Sequence, residues 1–407
     1  MQTTTALIAL LMIVPCLAGC AGPAGLYKDD LAILKQHTDV IELADSAGLG
    51  RVAVVPKYQG RVMTSTLAGP DGMSLGWINP AAIEAGVTAG AMNAYGGEER
   101  FWIGPEGGQF SIFFKPGDPF DIDHWKVPAL IDTEAFDVVE RTPSRAVFRK
   151  DARLTNRAGF TFEFRIDRTV AVIEPGQIAE LLKLPGGGDK LSMVGYETLN
   201  AMTNTGKEPW AEKTGLLSIW LLGMYPHSPR TTVVMPIVPG DDKTLGPRVN
   251  VYESFNKLDA ARLRAEPGVV FFKADGRHRS KIGLSPRRAT SVLGSYNADD
   301  NILTVVQYDE PAGAAKYVKS TWEIQKDPFG GDVTNSYNDG VSGPGKKPLG
   351  PFYELETSSP AAALGPGQQI RHISRTFHIT GPRAELDKIA RLQLGASLDE
   401  IVNALPR

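Results

Sequence analysis

Cysteine is scarce in this chain. Its 407 residues contain two, Cys16 and Cys20, so no framework of disulfides holds it together and stability must come from a hydrophobic core. An excess of charge of one sign is also missing: 43 Lys and Arg stand against 46 Asp and Glu, a net charge of −3. That balance offers no basic field for neutralising phosphates, and no nucleic-acid partner is expected. A Gly-x-Ser-x-Gly elbow and a His-Glu-x-x-His helix are absent, which argues against a standard serine hydrolase or zincin. Pro185-Gly186-Gly187-Gly188-Asp189-Lys190 lacks the spacing of a P-loop and reads as a turn. No metal-ligating set and no cofactor motif is recognised. What remains is a composition of 42% apolar and 8% aromatic residues, ordinary for a globular protein with room for a large core.

The amino terminus has its own pattern. Residues 6–14 are nine apolar residues in a row, far short of the roughly 20 that a spanning helix needs, and they read as a signal-peptide core. Leu17-Ala18-Gly19-Cys20 follows and resembles the lipobox of bacterial lipoproteins, which implies cleavage before Cys20 and acylation of that residue. Ala21 in the next position implies the outer membrane, facing the periplasm. The expected organisation is a signal peptide over residues 1–19, a tether over 20–27 and a single domain over 28–407.

Most of that domain reads as strand. Phe160, Phe162, Phe164 and Ile166 alternate with Thr161, Glu163 and Arg165, the period-two pattern of a half-buried antiparallel strand. Residues 216–222 are apolar on both faces and predict a strand covered on both sides, which favours a sandwich. Further strands are expected over residues 110–114, 193–203, 302–308, 317–325, 352–357 and 369–380. Only the carboxyl end reads as helical. Leu386, Ile389, Ala390 and Leu392 keep helical spacing, Ser397-x-x-Glu400 has the form of a capping box, and these helices are expected to cover a sheet edge.

Three polar groupings could carry chemistry. In residues 95–108, glycines surround Arg100, Trp102 and the carboxylates of Glu98, Glu99 and Glu106; an aromatic face with directional polar groups suits a neutral polyol. In residues 352–357, Glu354 and Glu356 share one strand face while Tyr353 and Leu355 share the other. Two neighbouring acids in unlike surroundings can serve as an acid and base pair. His124 sits beside Trp125 in a long loop where propensity gives no reason for it. By contrast, His372 and His378 lie on the polar face of residues 371–379 and read as part of a surface strand. The oxygen-rich loop of Asp332, Asn335, Tyr337, Asn338 and Asp339 does not match an EF-hand and reads as a turn held by its own side chains.

The order of these pieces resembles the galactose mutarotase-like (aldose 1-epimerase) superfamily: a Gly-Gly-x-x-x-x-Trp loop, a later His beside Trp, an Asn-x-Gly turn at Asn204, and a terminal Leu-Glu-Thr strand followed by Leu364-Gly365-Pro366-Gly367. Tyr-Gly-Gly, Ser-Tyr-Asn-Asp-Gly and Glu-Leu-Glu segments resemble exported bacterial members of it. The resemblance implies an all-β, mainly antiparallel supersandwich with short helices at its end and a sugar cleft on its concave side. It also implies that Glu356 is the base that takes the anomeric proton, with Glu354 or His124 as acid. Arg100, Trp102, Glu98, Glu99, Glu106, Trp220, Tyr337, Asn338 and Asp339 are then expected to contact the sugar. One departure stands out: Ser218-Ile219-Trp220 occupies the place of the mutarotase's acidic histidine, and an indole or hydroxyl binds a ring oxygen without readily protonating it. The expectation is a lipid-anchored protein with a carbohydrate cleft that transforms its ligand, the alternative being a cleft that only binds, in a scaffold lipoprotein.

Overall fold

The computed structural model describes residues 25–309, 315–341 and 347–406; the expected signal segment and Cys20 lie outside the described residues. Tyr27, expected at the end of the tether, is buried and opens helix α1 (Tyr27–His37). A small antiparallel sheet follows, made of β1 (Ile41–Ala44), β2 (Arg51–Val55) and β3 (Arg61–Thr66), and then α2 (Pro80–Ala85). Next come β4 (Arg100–Gly104), β5 (Asp137–Arg141), β6 (Arg145–Thr155), β7 (Thr161–Ile173), α3 (Pro175–Leu181), β8 (Ser192–Asn204), β9 (Ser218–Pro226) and β10 (Thr231–Pro236). After α4 (Asp242–Leu245) the chain forms β11 (Asn250–Val251), β12 (Leu263–Glu266), β13 (Val269–Lys273), β14 (Ser280–Leu284), β15 (Val292–Asn297) and β16 (Ile302–Tyr308). It ends with β17 (Thr334–Asn338), β18 (Phe352–Ser358), β19 (Gln369–Thr380), α5 (Arg383–Leu394) and α6 (Leu398–Asn403).

Two antiparallel sheets dominate. One has ten strands in the order β12-β13-β10-β15-β16-β19-β8-β7-β6-β5; the other has six, in the order β11-β14-β17-β18-β9-β4. Their facing sides are apolar because each strand alternates. Phe148, Phe162, Phe164, Ile166 and Val170 of the larger sheet share a core with Phe101, Ile103, Ile219 and Leu221 of the smaller. Farther along, Val233, Phe272, Leu293 and Val306 meet Ile282, Tyr353 and Leu355. This is the expected sandwich. The period-two reading of the 160–166 segment holds because all its even-numbered apolar residues from Phe162 onward are fully buried.

β19 inverts an expectation. Its polar side, with His372, Ser374, Thr376 and His378, is buried between the sheets, whereas Phe377 and Ile379 point outward and are covered by Leu386, Ile389, Leu394, Leu398 and Ile401 of α5 and α6. The terminal helices therefore cover a sheet face, not an edge. Of the residues read as their apolar stripe, Leu392 is exposed and Leu394 takes its place in the core. The inward polar groups are tolerated because they find partners. His378 Nε2 lies 2.9 Å from Glu98 Oε1 and its Nδ1 lies 2.9 Å from Thr304 Oγ1. His372 Nε2 lies 2.8 Å from the Thr357 hydroxyl, and burial pushes that imidazole down to about 4, so it stays neutral.

Candidate functional site

Strand register assembles one outer face of the six-stranded sheet. Glu354 and Glu356 of β18 pair with Met224 and Leu222 of β9, and Leu222 and Trp220 pair in turn with Arg100 and Trp102 of β4. On the other side, Tyr337 and Asn335 of β17 lie opposite the two glutamates, and Lys281 of β14 lies opposite Tyr337. Directly paired residues point to the same side of a sheet, so Arg100, Trp102, Trp220, Lys281, Tyr337, Glu354 and Glu356 all share this face.

Arg100 and Glu354, 254 positions apart, form an ion pair. Lys281 Nζ and Trp220 Nε1 both donate to Glu356 Oε2, at 2.9 and 3.0 Å. Each cation also lies over an indole, Arg100 at 5.0 Å from the Trp102 ring and Lys281 at 5.0 Å from the Trp220 ring, a placement that favours positive charge. The acids sit deep, with Glu356 0% and Glu354 6% exposed. Their surroundings differ. Desolvation pushes Glu354 up to about 7, with Arg100 opposing the shift and the neighbouring Glu356 reinforcing it. The two carboxyls share one side of β18, and the proximity of Glu356 is one of the causes that raise Glu354. Glu356 Oε1 and Arg100 Nε are buried with no hydrogen-bonding protein partner.

Aromatic rings stand beside this face. Trp125 and Trp322 stack with ring centroids 6.0 Å apart, and Phe113 lies between Trp125 and Trp102 at 6.0 and 5.6 Å. Glu106 is set among them: burial raises its pKa, and Lys281 and the indole N–H groups of Trp322 and Trp125 oppose the rise. Trp125 Nε1 is turned toward this carboxyl but stops short of a hydrogen bond. The chain folds this way because Gly107 packs on the backbone at Thr321, where an added Cβ would come within 2.3 Å of a carbonyl oxygen. A side chain at residue 107 would separate the Glu106 turn from the Trp322 loop. Asp332 closes the far side, accepting from Asn250 Nδ2 and the Tyr252 hydroxyl at 2.7 Å each. Gly283 leaves room for it, since a Cβ there would lie 2.1 Å from Asp332 Oδ2.

The structure places several expected contact residues elsewhere. His124 is half exposed and its Nδ1 lies 2.6 Å from Asp121 Oδ1; the charges that raise its pKa are those of Asp121, Asp118 and Asp123. The turn closed by Asp121 sends His124 outward and Trp125 inward, so the histidine does not join the carboxyl pair. Glu98 and Glu99 face the core between the sheets. Glu98 accepts from Ser65 and pairs with His378, and Glu99 is bound by the buried Arg168 at 2.9 Å. Asn338, on the inward side of β17, is spent on Gly276 N and His278 O, and Asp339 accepts from the Tyr337 hydroxyl and Gly350 N. Trp102, expected as a stacking platform, is 5% exposed beneath Arg100 and Trp220. The half-exposed indoles are Trp125 and Trp322.

Sequence reasoning missed Lys281 and Trp322. A lone Lys in a five-residue strand carries no signal, and Trp322 lies in a segment read as a strand, residues 317–325, that the structure makes a loop. Among the described residues no three His, Cys, Asp or Glu side chains come together so as to hold a metal ion.

The model of DUF6786, a family of unknown function, matches residues 25–405. Among solved structures, a proposed aldose 1-epimerase from Escherichia coli K12 has a similar fold, with a TM-score of 0.50 at 12% identity over 84% of this chain and 99% of that one. A galactose mutarotase-like protein from Lactobacillus casei ATCC 334 matches at 12% identity and a TM-score of 0.46, over 84% of this chain and 100% of that one. At such identity the first likeness shows a common fold and nothing of the chemistry. No curated protein matches the sequence.

Proposed function

The chain belongs to the DUF6786 family, whose function is not established, and from its own residues we propose that the cleft binds a saccharide and moves protons on it. The observation that carries this reading is the Glu354 and Glu356 pair. One carboxyl receives an ammonium and an indole hydrogen bond, while the other is pushed up to about 7 by burial. A base and an acid are thus available side by side near neutral pH. The hemiacetal end of a sugar suits such a pair, because its hydroxyl and its ring oxygen sit on one carbon and two carboxyls on one side of a strand can reach both. Glu356 takes the hydroxyl proton, Glu354 gives its proton to the ring oxygen, the C1–ring oxygen bond breaks, and reclosure on either face of the aldehyde returns both protons. The fold shared with the Escherichia coli protein, itself described as a proposed aldose 1-epimerase, supports the reading. Arg100 favours a second one, a cleft that holds a sugar without transforming it, because a guanidinium beside Glu354 opposes retention of the acidic proton.

Thermal unfolding of the full chain against D-glucose, D-galactose and maltose tests binding. A sugar at 100 times its dissociation constant adds about 2.7 kcal/mol of stability, and a panel with no shift would overturn the reading. Exchange between anomers of the bound sugar, followed by nuclear magnetic resonance, separates turnover from binding alone.

We also propose that the protein is held at the cell envelope through an acylated Cys20. Support comes from residues 6–20 alone; among the described residues no helix is long and apolar enough to cross a membrane. Cys20→Ser is expected to move the protein from the membrane fraction to the soluble fraction and abolish incorporation of labelled palmitate. Unchanged partitioning would count against the anchor.

A further inference from the structure

One guanidinium beside the carboxyl pair is held in place yet keeps its binding edge free. Arg279 stands two residues before Lys281, at the entry to β14. Its Nε donates to the Tyr337 hydroxyl at 2.9 Å, and its Cζ lies 5.0 Å from the Phe255 ring and 5.8 Å from the Tyr337 ring. The Tyr337 hydroxyl in turn donates to Asp339 Oδ1 at 2.6 Å, and Gly350 N donates to the other oxygen of that carboxylate at 2.8 Å. These contacts fix the guanidinium. Among the described residues it is in no ion pair, and its two terminal nitrogens make no hydrogen bond. Unlike Arg100 Nε, they are not enclosed by protein and reach solvent.

Position decides what that edge can receive. Tyr337 lies directly opposite Glu354, and Asn335 opposite Glu356. Lys281 lies opposite Tyr337, so Arg279 stands about 7 Å farther along the sheet, on the Glu354 side of the carboxyl pair. The reaction proposed above puts Glu356 at the anomeric hydroxyl and Glu354 at the ring oxygen. In a pyranose the ring oxygen leads from C1 to C5, the carbon that bears C6. In that orientation a group on C5 extends past Glu354 toward Tyr337 and Arg279. The acids there are already engaged, Glu354 by Arg100 and Asp339 by Tyr337 and Gly350. Two coplanar oxygens match the two terminal nitrogens of a guanidinium, and that is the geometry of a carboxylate. A C6 hydroxyl offers one oxygen and no charge.

We infer that the site selects a uronic acid, its C5 carboxylate received edge-on by Arg279. The inference rests on the saccharide reading above. Calorimetry with the full chain at about pH 7, where a uronate is ionised, tests it. The ligands are D-glucuronate and D-galacturonate, the hexoses D-glucose and D-galactose, and the uronamide and hexose 6-phosphate of each configuration. In the configuration that binds, the uronate is expected to bind at least about tenfold more tightly than the hexose, roughly the worth of one charge-assisted hydrogen bond in a half-exposed site. The uronamide keeps the shape without the charge and is expected to bind like the hexose. Arg279→Gln is expected to bring the uronate and hexose affinities close to each other. A uronate with no advantage over its hexose, a 6-phosphate that binds as tightly as the uronate, or a preference that survives in the variant overturns this inference and leaves the saccharide reading intact. Failure of every hexose and uronate to bind sinks both. The ligands are compared on the unaltered protein, so that comparison stands even if the variant does not fold.

Discussion

Glu356→Gln is expected to slow anomer interconversion by about 10³-fold, within the range that a positioned general base contributes. Gln keeps the shape of the side chain and can still accept from Trp220 and Lys281 through its carbonyl oxygen, so kcat should fall while KM stays close to its original value. The pH profile of the unaltered protein supplies an independent reading. Glu354 must hold its proton to act as acid, and its carboxyl is pushed up to about 7; the rate should therefore be sustained below that pH and decline as pH rises through it. The two carboxyls interact, so the profile reports them as a pair. A variant that turns over at the original rate, or a rate that climbs steadily above pH 7, would remove Glu356 and Glu354 from the chemistry.

Arg168→Met is expected to destabilise the fold by about 3 to 5 kcal/mol, the cost of leaving a buried charge without its partner. Arg168 is 0% exposed on the inward side of β7, in line with Phe164, Ile166 and Val170. Its guanidinium binds Glu99, the Gly60 carbonyl oxygen and Asn200. Removing it strands the Glu99 carboxylate between the sheets, where burial already raises its pKa. The double variant Arg168→Met, Glu99→Leu should recover most of the loss, because a pair replaced by apolar groups of similar volume is often near neutral. Urea unfolding measures both. A single variant within about 1 kcal/mol of the unaltered protein would mean that the pair contributes little.

Glu354, Glu356, Glu98 and Glu99 show how far the sequence can be read. Glu354 and Glu356 were legible because strand alternation sorts residues by side, and β18 keeps strict period two, whereas Arg100 was reached through the composition of residues 95–108. Glu98 and Glu99 were grouped with Arg100 by proximity along the chain. The regular strand begins only at Arg100, with Gly96 and Gly97 both at positive φ just before it. That irregular entry turns Glu98 and Glu99 into the core, and a composition argument over residues 95–108 could not see it. β19 failed for a related reason: a polar side reads as solvent-facing unless the sequence reveals that helices will claim the other side. The strands over residues 250–297 were invisible because they are two to six residues long, and β14 and β15 each carry a glycine, too little pattern for a period to emerge. Residues 317–325 erred in the opposite direction. Val318 and Trp322 pack in one core and Tyr317 in a neighbouring one, while Ile324 is exposed, and none of them pairs in a regular strand.

The contact between Arg100 and Glu354 spans 254 positions, and Lys281 and Trp220 reach Glu356 from two further strands. A chain emerging from its amino end thus carries a guanidinium, then an indole, then an ammonium, long before either acid has been made. Nothing can be gripped until the strand at 352–358 slides between its two neighbours. Closing so large a span costs only slowly growing entropy, yet contacts this remote delay folding. Occupancy of the hollow is consequently a sign that the whole chain has arrived and folded.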